Sequence, residues 1–146
     1  MTEEKETVEV AKHYFKALKK VGTKRVISAL QNLYKQKISE YDNKVIDYII
    51  ESVCNAYEIK EHELNGNTVT GDALVSRNMV VVLIKKHLRL KHEEVSVIFN
   101  KKGHAMVSHA LRDFKGKNER IKEDKIYIDH FFKVDSMISN YKKTFN

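Results

Sequence analysis

Residues 93–115 read EEVSVIFNKKGHAMVSHALRDFK. Val95, Ile98 and Phe99 fall on one side of a short helix, and Val107, Ala110, Leu111 and Phe114 on one side of a second. Between them, Lys101, Lys102 and Gly103 form a tight basic turn in which glycine can take a left-handed backbone without a steric penalty. Two short helices joined by a glycine-bearing turn match a helix-turn-helix. In that motif the second helix enters the major groove of duplex DNA with its N-terminal residues foremost. The side chains left leading or outward are His104, Ala105, Met106, Ser108, His109 and Arg112, with Lys101 and Lys102 just before them.

The rest of the chain reads as helix too, and the fold class expected is all-α. There is no proline in the 146 residues, and proline is the strongest breaker of helices. Val8, Ala11, Phe15, Leu18 and Val21 recur every three or four positions, with Gly22 placed as a C-cap. Thr23 is an N-cap for a second stripe of Val26, Ile27, Leu30, Leu33, Tyr34 and Ile38. A third helix is expected after Asp42, running through Val45, Ile46, Ile49, Ile50, Val53, Cys54 and Tyr57. Asn65–Asp72 is a loop rich in turn formers. The apolar run Met79–Ile84 within a helix from about 72 to 88 is the central buried helix. Its three valines also suit a strand, but helical register continues on both flanks and no partner strand is evident. A last helix, about 123–143, puts Ile128, Phe131, Phe132, Val134, Met137, Ile138 and Tyr141 on its apolar face.

Composition narrows the function classes. Hydrophobic residues at 42% and charged residues at 32% fit a folded globular chain of one domain. The single cysteine, Cys54, excludes a disulfide framework and fits a small buried hydrophobe in a reducing compartment. The longest apolar run is too short for a bilayer, and the polar start MTEEKETVEV reads as no signal peptide. A cytoplasmic protein without a membrane partner is expected. Net charge is +7, and residues 77–115 hold nine basic side chains against three acidic ones. An electrostatic partner surface therefore belongs there.

Chemistry beyond binding finds little support. His87 and His92, like His104 and His109, are five apart rather than the four a helical metal pair needs. Ser108 and His109 are adjacent, so a helix points them apart. No phosphate-binding glycine loop is present. The expectation is a non-enzyme with no catalytic residue, metal, cofactor or nucleotide. His109 is expected to pack beside the preceding helix.

Residues 42–115 resemble the C-terminal duplex-DNA-binding domain of DnaA, the bacterial chromosomal replication initiator. Val45–Leu64, ending AYEIKEHEL, is similar to that domain's opening helix and the passage after it. RNMVVVLIK (77–85) is similar to its arginine-led apolar helix, and FNKKGHAMVSHA (99–110) to its recognition-helix signature. The resemblance implies a helix-turn-helix bundle of the Trp-repressor-like class, double-stranded DNA as partner, and a role in replication or its regulation. It places phosphate contacts at Arg77, Lys85, Lys101 and Lys102, and completes the DNA-binding set with Asn78, His104, Ala105, Met106, Ser108 and Arg112. Where the family reads bases with Asp-His-Thr-Thr, this chain has Gly103, His104, Ala105 and Met106. Where the family carries an arginine-rich loop, residues 65–72 have no basic side chain. Those two departures favour an alternative, a protein-interaction module that keeps the fold without reading DNA. Two segments are expected: a helical extension, 1–41, packed on the core, and the DnaA-like domain with an added C-terminal helix, 42–146. A homodimer through the first two helices is compatible with this plan.

Overall fold

The computed structural model describes residues 8–13, 16, 19, 22, 25, 38–65, 71–101 and 103–145. The chain divides into two compact units, Met1–Lys37 and Ile38–Asn146. In the first unit every described residue is helical except Gly22, whose φ of +85° leaves the helical region. Val8, expected on an inner stripe, is exposed. Phe15, Leu18, Val21 and the Val26–Tyr34 stripe lie outside the described residues.

The second unit contains α1 (Glu40–Tyr57), α2 (Glu61–Leu64), α3 (Gly71–His87), α4 (His92–Ile98), α5 (Ala105–Lys115) and α6 (Lys122–Lys143). No strand occurs among the described residues. α1 starts earlier than expected, because Ser39 caps it and not Asp42. The Ser39 hydroxyl accepts from the Asp42 backbone N–H at 3.1 Å, one of the donors a helix start leaves unpaired. Ile38 belongs to this unit's core. At the other end Glu58 is left-handed, and the Ile59 N–H closes onto the Cys54 carbonyl at 3.0 Å. The four-residue α2 was not anticipated. It carries Leu64 into the core at 1% exposure.

α3 is the axis of the unit, packed by α1, α2, α4, α5 and α6. That is why Met79, Val80, Val81, Val82, Leu83 and Ile84 are all buried, with no polar face in the run. Each such side chain contributes about 1.5–3 kcal/mol when fully buried. α6 packs on α1 and α3 along Tyr127, Phe131, Val134, Ile138 and the half-buried Tyr141, a strict three-four spacing. Phe132 and Met137 lie off that stripe, at 60% and 37% exposure, contrary to the broad face expected. The Tyr141 ring stacks on Tyr48 of α1 at 4.1 Å, and Phe131 meets Phe114 of α5 at 4.7 Å.

The C-terminal end of α3 is pinned to α6. Asp135 takes His87 Nε2 at 2.6 Å on one oxygen and Lys86 Nζ at 2.7 Å on the other. Lys142 Nζ donates to the His87 carbonyl at 3.0 Å, which supplies positive charge at a helix C-terminus. α3 is thereby a fixed platform for α4 and α5.

Candidate nucleic-acid interface

α4 opens with the Lys91 N–H donating to Glu94 Oε1 at 3.0 Å. Val95 and Phe99 enter the core, and Ile98 packs against it half-buried. Ser96, between them, is fully buried because its hydroxyl donates to the Gly103 carbonyl at 2.7 Å. The Lys101 N–H donates to the Ser96 carbonyl at 3.0 Å, so one residue holds both ends of the turn. Asn100 and Gly103 are both left-handed, with φ of +59° and +74°. Asparagine and glycine are the residues that take this conformation at least cost. The turn is therefore wound by two left-handed residues and locked by a buried serine.

α5 then docks on α3 through Val107 and Ala110, which are buried, and Leu111 and Phe114, which are half-buried. The faces left outward hold His104, Ala105, His109, Arg112 and Lys115, all exposed, with Met106 and Ser108 half-buried at their margin. His109, expected to pack beside the preceding helix, is exposed. Lys101 sits half-buried in the turn, and Lys102 lies outside the described residues.

The other sequence-derived positions part company with this face. Arg77 is 6% exposed and its Nη1 donates to the Leu64 carbonyl at 3.3 Å. Burial pulls its guanidinium below the usual range. Lys85 Nζ donates to the Leu90 carbonyl at 2.6 Å, closing the α3–α4 connection. It still lies close enough to His92 to help hold that ring below the ordinary histidine range, after burial and together with His104. Asn78 reaches the far end of α5, its Nδ2 3.5 Å from Asp113 Oδ2.

Two residues of the site were not anticipated. Glu93 Oε1 is 3.2 Å from His104 Nε2, and the His92 ring centre is 5.8 Å from that of His104. Both belong to the first turn of α4, more than ten residues before His104 in the chain. Only the hairpin brings them to the start of α5.

A concavity elsewhere among the described residues is acidic. A cavity of about 320 Å³ is lined by Asp47, Glu51, Cys54, Asn55, Ile59 and Glu61. Burial, with Glu61 and Glu63 behind it, pushes the Cys54 thiol up to about 11, so it is inert as a nucleophile at neutral pH. Among the described residues no group of three or more His, Cys, Asp or Glu could hold a metal, and no helix is long and apolar enough to cross a membrane.

A short helix, a locked left-handed turn and a second helix with its leading residues in solvent define a helix-turn-helix domain. Residues 46–113 match the family model of the bacterial DnaA protein helix-turn-helix, and this segment is a DnaA C-terminal-like domain. No curated protein gives a significant match to the chain.

Proposed function

We propose that this protein binds double-stranded DNA, with α5 laid in the major groove and no catalytic activity of its own. The observation that carries the reading is the exposed leading end of α5 on a rigid hairpin, within a segment of the DnaA helix-turn-helix family. His104, Ala105, Met106 and Ser108 face the bases in this reading, Met106 and Ala105 suiting a thymine methyl. Lys101, Lys102 and Arg112 hold phosphates, and phosphate contacts supply affinity without sequence choice. Asn78 and Lys85 stand at the margin, where their present partners compete with DNA. Arg77 serves the fold. The process served is replication initiation or its regulation, as the family suggests.

A protein-interaction module is the second reading, favoured by the absence of basic side chains in residues 65–72 and by the apolar Ala105 and Met106. Binding of a labelled random-sequence duplex across a salt series separates the two. Each neutralised phosphate adds about 0.9 to the log–log salt slope, so Lys101→Ala/Lys102→Ala should lower the slope by about 1.8. No binding at low salt, or an unchanged double variant, selects the protein-interaction module.

A further inference from the structure

We propose that the leading turn of α5 reads the C5-methyl group of a pyrimidine, so that thymine and 5-methylcytosine are equivalent to this protein at one base pair. Cytosine methylation there strengthens binding. This rests on the reading of α5 as the groove helix. Ala105 is the first residue of α5. It lies four residues before His109 and seven before Arg112, a spacing that puts the three on one side of a helix. All three are exposed, on the side opposite buried Val107 and Ala110. The outward face therefore begins with a side chain that is a single methyl group. Met106, beside it, packs half-buried against the core, so part of its chain is held and part reaches solvent.

An alanine side chain neither donates nor accepts a hydrogen bond, and a methionine sulfur is only a weak acceptor. What such a tip can distinguish is apolar surface. In the major groove the base pairs present hydrogen-bonding atoms and one apolar group, the thymine C5-methyl. 5-Methylcytosine carries the same methyl on the same ring carbon, whereas uracil and cytosine carry hydrogen there. Thymine offers O4 as an acceptor and cytosine N4 as a donor, so a hydrogen-bonding reader separates the two. The Ala105 side chain is blind to that difference and senses the methyl alone. His109 and Arg112 carry hydrogen-bonding groups of the same face. They stand one and two turns farther along α5, over other base pairs. Burying one methyl against an apolar side chain is worth about four-fold in affinity.

The test uses the full chain and a duplex selected from a randomised pool, with single bases then replaced at constant salt. At one position, replacing thymine by uracil should weaken binding about four-fold. With cytosine at that position, 5-methylation should strengthen binding by about the same factor. Ala105→Gly should bring both effects close to unity, its fold being checked by the melting midpoint, while the two base replacements on the wild type need no variant at all. A uracil effect without a 5-methylcytosine effect, no methyl effect at any position, or effects undiminished in Ala105→Gly overturns the inference and leaves the DNA-binding reading standing. A wild type that retains no duplex overturns both.

Discussion

The Arg77 guanidinium donates to the carbonyl oxygen of Leu64, 3.3 Å away, from a position only 6% exposed. It ties the start of α3 to the end of α2. Arg77→Ala should therefore cost about 2 kcal/mol of stability, the worth of a buried hydrogen bond to a charged group. The salt slope of duplex binding should be unchanged. Urea unfolding and a salt titration check the two halves. A slope lower by about 0.9 with stability intact would make Arg77 a phosphate contact instead.

The hydroxyl of Ser96 and the left-handed backbone of Gly103 hold one turn. Ser96→Ala should cost about 1 kcal/mol, because the Gly103 carbonyl loses its donor. Gly103→Ala should cost about 1–2 kcal/mol from backbone strain alone, since a Cβ there meets nothing within 4 Å. Both variants should weaken duplex binding by misaligning α5. Undiminished binding in both would show that the turn need not be rigid.

Phe131 and Phe132 are neighbours in sequence and opposites in environment, at 3% and 60% exposure. Phe131→Ala should destabilise by about 3 kcal/mol, and Phe132→Ala by about 0.5 kcal/mol or less. Thermal or urea unfolding of the pair decides it, and equal losses would place both rings in the core.

His87 gives the fold a pH dependence whose sign can be worked out. Burial holds its ring below the ordinary 6.5, outweighing the pull of Asp135. Between the folded value and 6.5 the unfolded chain binds more protons, so stability rises with pH through that window. Its contribution is complete above about pH 7 and declines as pH falls below 6.5. Burial works to raise the Asp135 carboxyl, yet hydrogen bonds from Lys86 and His87 hold it low, so its own contribution disappears only in stronger acid. Urea midpoints from about pH 5 to 8 should fall on the acid side for the wild type and flatten in His87→Gln. Parallel curves would remove His87 from the account.

The helices of the second unit were legible because their apolar spacing is regular. Met79–Ile84 as the central helix and Val107, Ala110, Leu111 and Phe114 as the inner face of α5 follow from periodicity alone. α6 was harder to read. Its apolar residues exceed what one face can bury, and the packing against α1 and α3 chose Tyr127 over Phe132 and Met137. Arg77 misleads for a different reason. A charge reads as solvent-facing until the fold supplies a buried carbonyl for it. Glu93 and His92 carry no linear sign of meeting His104, because the contact exists only once two left-handed residues have turned the chain. Ser96 could have been suspected, as a polar residue between Val95 and the apolar Ile98 and Phe99 within one short helix.

Amide shift mapping of the chain during titration with duplex DNA tests the central claim most directly. The account predicts that the largest changes run from Lys101 to Arg112, with Glu93 among them, and that they fade with added salt. Changes confined to the acidic cavity around Asp47, Glu51 and Asn55, or none along α5 at saturating duplex, would contradict it.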